Sequence, residues 1–231
     1  ETYDLVVGAD GIHSSVRNQV FGEGFMKLYG WDAWAYWLPK SFSYPKDPTG
    51  FLGSGRTVFI LPSHSSSTAT LIAKVPSPIT NPDKPAVLKE LFSGFGGAVP
   101  ELLLSAPESQ EIWHDSVAHV RMPVWYKDRV VLIGDAQHAV SPLVGMGSSM
   151  ALEDAYVLAE EIAGNQELDT ALLRFAERRD LRMKRFLRIV DRVDGWLNNS
   201  GVLSMLRNAM TSITPSSYFT GIIRNLLYSK M

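Results

Sequence analysis

The 231-residue chain contains no cysteine. That absence excludes disulfides, thiolate nucleophiles and cysteine-ligated metal centres, and it suits a reducing cytoplasm. Long apolar runs are missing too: no stretch approaches the ~20 residues that a membrane-spanning helix needs. The start, Glu1-Thr2-Tyr3-Asp4, lacks the basic-then-apolar pattern of a signal peptide. Net charge is small, formally -2, and gives no global electrostatic reason to expect nucleic acid as a partner. An initiator methionine is absent and the apolar run Leu5-Val6-Val7 begins almost at once. The expectation is a soluble, cytoplasmic chain without a transmembrane segment, entered in mid-domain. Asp135 with His138, or His114 with His119, would be a metal pair only with a third ligand at a telling spacing, and none is found.

What is present is a globular composition, 45% hydrophobic, enough for one large domain or two modest ones. Residues 3–7 read as a short buried strand, broken by Gly8-Ala9-Asp10-Gly11 before a brief helical segment through Arg17. Residues 23–125 change character. Aromatics crowd positions 29–44, and Ala69, Leu71, Ala73 and Val75 alternate on one face of a strand. Val130-Val131-Leu132-Ile133 then reads as a central parallel strand covered on both faces.

From Ser148 the positions Ala151, Leu152, Ala155, Leu158, Ala159 and Ile162 follow helical spacing, with Glu153, Asp154, Glu160 and Glu161 elsewhere on the wheel. After Gly164-Asn165, Leu172, Ala176, Arg179, Met183, Phe186, Val190, Val193 and Leu197 repeat at steps of four and three, a packed helix interrupted only by Arg179. The basic cluster Arg178, Arg179, Arg182, Lys184 and Arg185 reads as a solvated face. A last amphipathic segment carries Phe219, Ile222, Ile223, Leu226 and Leu227.

The segment with most chemical content runs from Asp128 to Ala155. It delivers a carboxylate, Asp135, to the C-terminal end of a strand, where open α/β sheets bind ligands. A glycine-bearing loop follows, which lets backbone approach a ligand closely. The loop feeds a helix N-terminus, whose unpaired N–H groups favour an anion.

Gly134, Asp135, Ala136, His138, Pro142, Gly145, Gly147, Leu152, Asp154 and Ala155 resemble the "GD" motif of the class A FAD-dependent monooxygenases, the aromatic-ring hydroxylase family of para-hydroxybenzoate and salicylate hydroxylases. Gly8-Ala9-Asp10-Gly11, Ser14 and Arg17 resemble that family's "DG" motif. The resemblance implies an α/β fold with an α+β insert. A partial FAD-binding Rossmann-type domain (1–22 and 126–165) would carry a β-sheet substrate domain (23–125) and C-terminal helices (166–231).

It further implies that Asp135, with Gly134 beside it, holds a flavin ribityl hydroxyl. The loop Pro142, Gly145, Met146, Gly147, Ser148 and Ser149 would lie along the isoalloxazine. Asp10 and Arg17 would sit near the pyrophosphate. The implied cofactor is FAD, with NADH or NADPH as co-substrate, and the implied reaction passes oxygen through a flavin C4a-hydroperoxide to an aromatic or polycyclic small molecule. No side chain is assigned as a catalytic nucleophile.

The family's other fingerprint, Gly-x-Gly-x-x-Gly, is absent. Gly22-Glu23-Gly24, Gly53-Ser54-Gly55 and Gly145-Met146-Gly147 each lack the third glycine. The expected partner is therefore a missing N-terminal half of the same protein, and a truncated, non-catalytic flavoprotein module is the alternative. Gly147-Ser148-Ser149-Met150-Ala151 approximates a hydrolase nucleophile elbow, but Pro142 lies between it and the nearest strand. Gly30-Trp31-Asp32-Ala33-Trp34 departs from the Gly-Trp-x-Trp spacing of flavin halogenases. Those tryptophans, with Trp37, Phe42, Tyr44 and Phe51, are expected in the core or wall of the substrate domain.

Overall fold

The computed structural model describes residues 2–42, 47–62, 66–75, 79–164, 167–197 and 199–214. They form two compact units, one from Glu1–Leu28 and Ala118–Asp194, the other from Tyr29–Val117 and Gly195–Thr214. Tyr44 and the apolar positions 219–227 lie outside the described residues.

In the first unit, β1 (Val6–Gly8) pairs in parallel with β8 (Val130–Leu132), Val6 opposite Val130, and β7 (Tyr126–Lys127) pairs antiparallel on the other side of β8. The central strand is the apolar run: Val131 and Leu132 are fully buried. β1 departs from the sequence expectation, because Val6 and Val7 are 39% and 41% exposed. Among the described residues it is the edge strand of a three-stranded sheet, paired with β8 alone. Helix α1 (Ser15–Phe21) follows β1, its first turn capped by the Ser14 hydroxyl, which accepts the Arg17 N–H at 2.9 Å.

The unit's core lies around α4 (Asp135–His138), α5 (Gly147–Gly164) and α6 (Leu168–Leu197), with Trp125, Met146, Met150, Val157, Leu172, Phe175 and Phe186 in one cluster. On α6 the buried positions run 172, 175, 179, 183, 186, 190 and 194. The predicted a/d stripe matches at Leu172, Arg179, Met183, Phe186 and Val190, but Phe175 is buried in place of Ala176 and Asp194 in place of Val193, because a straight helix of period 3.6 drifts off a 3.5-residue repeat.

On α5 the inward face differs from the predicted one. Met150, Asp154, Val157, Leu158 and Glu161 are buried, whereas Leu152 is 73% exposed. Two acids face inward because α6 supplies their partners: Arg179 Nε donates to Asp154 at 2.7 Å, and Arg178 Nη1 donates to Glu161 at 2.6 Å.

The second unit is a five-stranded antiparallel-type sheet in the order β3-β4-β5-β2-β6, from β2 (Met26–Leu38), β3 (Thr49–Gly53), β4 (Arg56–Pro62), β5 (Ser67–Lys74) and β6 (Trp113–Val120). Alternation sets its faces. Trp34, Tyr36, Val58, Ile60, Ala69, Leu71 and Ala73 are buried against α2 (Lys84–Phe92) and α3 (Val99–Leu104), with Phe92 edge-on to Trp34. Trp37, on the opposite face, is 66% exposed. Helix α7 (Val202–Ile213), the last among the described residues, belongs to the same unit.

Candidate functional site

Both sequence motifs fall in the first unit. β8 ends in Gly134, whose backbone (φ 59°, ψ -142°) lies in a region that side-chain-bearing residues avoid. This turn starts α4 with Asp135 exposed and Ala136, Gln137 and His138 buried. Ser141 then accepts the Leu143 N–H at 3.3 Å and opens a short 3-10 turn over Pro142–Val144. Gly145 closes that turn in the left-handed region (φ 65°), and its N–H donates to the Pro142 carbonyl at 3.0 Å.

Met146 is buried in the core, and Gly147 begins α5. A methyl group on Gly147 would stand 3.9 Å from Asp135 Oδ1 and 3.8 Å from the Val140 side chain. The Asp135 carboxylate therefore borders the amino end of α5. Pro142, Gly145, Ser148 and Ser149 are exposed around it. No acidic residue occupies the first turn of α5, so its positive end is unneutralised from within the helix.

The turn is held from below by a side chain to which the sequence pattern assigned no role. Asp154 is fully buried. Its Oδ2 accepts the Gly134 N–H at 2.8 Å and pairs with His138 Nε2 at 2.6 Å, while Oδ1 accepts Arg179 Nε at 2.7 Å. Arg179 also bonds Glu153, which accepts Arg182 Nε at 3.1 Å. The basic cluster on α6 is thus no uniform solvated face: Arg179 is 1% exposed and carries its charge into the core. The pairing explains this, since an acid set against a buried guanidinium offsets the cost of taking its charge out of water. One signal was available: Arg179 interrupts the apolar stripe of α6, as one member of a buried ion pair would.

The first motif is organised around Asp10 and Arg17. Asp10 is exposed, and its Oδ2 accepts the N–H groups of Ser15 at 2.7 Å and Val16 at 3.1 Å, the start of α1. Burial raises the Asp10 pKa, but hydrogen bonds from Ser14, Val16 and Ser15 outweigh that and hold the carboxyl below its usual value. Arg17 is buried. Its Nη2 donates to the Ile12 carbonyl at 2.8 Å and its Nη1 to the Ala136 carbonyl at 3.1 Å, so it ties the first motif to the second. Its Nε is buried with no hydrogen-bond partner among the described residues. Burial lowers the Arg17 pKa, with Asp10 opposing.

A flavin fits these groups on two counts. Asp135 is an exposed acceptor for a polyol hydroxyl. Gly147 and Gly145 keep backbone bare where a planar ring would approach. Ser149 lies within the first turn of α5, so the strand that a hydrolase elbow requires does not precede it.

The chain matches the FAD binding domain family over residues 2–188. It is 32% identical over 225 residues to the 2-heptyl-3-hydroxy-4(1H)-quinolone synthase of Pseudomonas aeruginosa, which covers 92% of this chain and 57% of that one. It is 34% identical over 178 residues to the aurachin C monooxygenase/isomerase of Stigmatella aurantiaca, across 74% of this chain and 46% of that one. The chain spans about half the length of the curated relatives it matches. In fold it resembles Klebsiella pneumoniae HpxO complexed with FAD and uric acid, with a TM-score of 0.86 and 22% identity over 98% of this chain and 60% of that one. A salicylate hydroxylase substrate complex gives a TM-score of 0.74 at 22% identity, over 97% of this chain and 62% of that one. The chain belongs to the FAD binding domain family, and the named relatives it matches there include flavin-dependent monooxygenases.

Proposed function

We propose that the protein containing this chain is an FAD-dependent monooxygenase that uses NADH or NADPH and oxygen to hydroxylate an aromatic or polycyclic small molecule. Bound FAD would supply the redox and oxygen chemistry. In this reading Asp135 accepts a hydrogen bond from the ribityl chain, and the backbone of Pro142–Ser149 lies along the ring system. The open N–H groups at the start of α5 stabilise negative charge at the ring edge without reorganising.

Asp10 and Arg17 stand where the first motif meets the second, and Arg17 maintains that junction through Ala136. The first unit corresponds to part of the FAD-binding domain and the sheet unit to the substrate domain. Trp37, exposed on the sheet face opposite α2 and α3, offers an aromatic wall to a planar substrate. A fused heterocycle of the quinolone kind suits such a wall. The relative with 32% identity is named for one.

The observation that carries the reading is the exposed Asp135 carboxylate beside Gly147 at the amino end of an 18-residue helix. FAD titrated into the protein should quench its own fluorescence on binding. Asp135→Ala should weaken that binding by about 1.5–3 kcal/mol, the scale of a charge-assisted hydrogen bond. Asp135→Asn should weaken it less, because the amide oxygen still accepts, and Ser149→Ala should leave it unchanged. Equal affinity in the protein and in Asp135→Ala would remove the ribityl assignment.

A further inference from the structure

The sheet of the second unit turns one face to α2 and α3, and the pairing register assigns residues to the far face. There Trp37 stands opposite Thr68, and Thr68 opposite Leu61. Two residues along, Ala35 stands opposite Thr70, Thr70 opposite Phe59, and Phe59 opposite Gly50. On β6, His114 and Ser116 reach Asp32, and the His114 ring stacks on Trp34 of the covered face. Alternation therefore turns Trp113 and Asp115 to the far one.

Half of the far face is open. Trp37, Trp113 and Leu61 are 66%, 55% and 45% exposed, and Phe59, Thr68 and Thr70 are half-buried, whereas the next row, Ala33, Ile72 and Thr57, is buried. The Phe59 ring closes over Gly50, where a Cβ would meet it at 3.0 Å. From β2 to β4 the open half spans two strand gaps, about 10 Å, and from Thr68 to Thr70 it spans about 7 Å. That is the footprint of a fused two-ring system. Thr70 is at its middle, on the central strand β5.

Charge decides what this surface takes. Among the residues paired across β2, β4 and β5, one ionisable side chain lies on the far face, Lys74, and buried Ile72 separates it from Thr70. Asp115 beside them is an acid. A carboxylate laid between Trp37 and Phe59 would lose hydration with no cation to meet it. An uncharged ring loses no such hydration, and its carbonyl or ring N–H can pair with the threonine hydroxyls. Thr57 Oγ1, two residues from Phe59 on the same face, is buried without a hydrogen-bond partner among the described residues. We propose that this platform selects an uncharged, fused two-ring heteroaromatic substrate and turns away aromatic acids, with Thr70 setting the preference. Calling the ligand a substrate rests on the monooxygenase reading above; the binding preference does not.

The test uses two ligands that differ by one carboxylate, 4-quinolone and 4-quinolone-2-carboxylate, titrated calorimetrically into the full chain. 4-Quinolone should bind roughly tenfold more tightly, since only the acid gives up a charge's hydration. Thr70→Val keeps the shape and removes the hydroxyl. It should weaken 4-quinolone roughly two- to tenfold, the scale of one neutral hydrogen bond. Thr70→Arg should invert the order, because a guanidinium takes a carboxylate in two parallel hydrogen bonds. Misfolding would lose both ligands and cannot invert their order.

Carboxylate binding as tight as that of 4-quinolone, or tighter, overturns the proposal. So does an unchanged order in Thr70→Arg, or the failure of both ligands to bind. The monooxygenase reading is judged separately, by FAD. Flavin binding that Asp135→Ala weakens, with no preference between the two ligands, removes the neutral-ring platform and leaves that reading standing. A 4-quinolone preference that Thr70→Arg inverts, without flavin binding, keeps the platform and removes the reading.

Discussion

At the scale of single residues, the buried carboxylate of Asp154 decides more than the exposed one of Asp135. It accepts the N–H of Gly134 in its unusual backbone conformation, pairs with His138 Nε2 and neutralises Arg179. Asp154→Ala removes one member of a buried ion pair and leaves Arg179 with Glu153 as its one acidic partner among the described residues, so a loss of about 3–5 kcal/mol in denaturant unfolding is expected. Replacing both, Asp154→Leu with Arg179→Leu, should cost less than the sum of the single changes, since no unpaired charge remains.

Asp10 gives the opposite case, an exposed group with a pH signature. Its folded pKa is depressed, so its contribution is complete above the unfolded value of about 3.9 and is lost as pH falls through the folded one. Asp10→Asn should therefore melt lower than the parent chain at neutral pH, and the difference should begin to shrink only below about pH 4 and vanish once the pH is under the depressed folded value.

At the scale of elements, the turn from β8 into α4 tolerates little. A methyl group at Gly134 would meet Ala151 Cβ at 3.0 Å, and the positive φ adds backbone strain whatever the space. Gly134→Ala should lower stability by roughly 1–3 kcal/mol, read as a shifted denaturation midpoint with an unchanged slope. Elements whose signal is local were legible in the sequence: the apolar β8 run, the alternation on β5, and the glycine-marked loop around Asp135.

The inward face of α5 was not legible, because a helical wheel assigns aspartate and glutamate to solvent. Only the arginines of another helix, 17 to 25 residues further on, reverse that assignment. The same holds for Arg179, seen as a break in a stripe and not as its electrostatic centre. Arg17 was legible as part of a motif. Its buried bond to the Ala136 carbonyl, 119 residues away, was not.

At the scale of the whole molecule, the contacts offered to FAD lie on two motifs, while the Gly-x-Gly-x-x-Gly unit that would meet the pyrophosphate and adenosine is not in the sequence. The 231 residues purified alone should therefore lose flavin during chromatography and show less than stoichiometric absorbance in the visible flavin bands. A full flavin spectrum from the isolated chain would show that the described motifs suffice. The parallel pairing of β1 with β8 has a consequence in time rather than in space. Val6 meets Val130 only after the whole intervening sequence has been accommodated, and long-range parallel pairing is slow because loop closure precedes any gain from contact. The β3-β4-β5 meander pairs strands that follow one another directly in sequence. On the ribosome, and in refolding from denaturant, the antiparallel sheet should be in place while the first strand still waits for its neighbour.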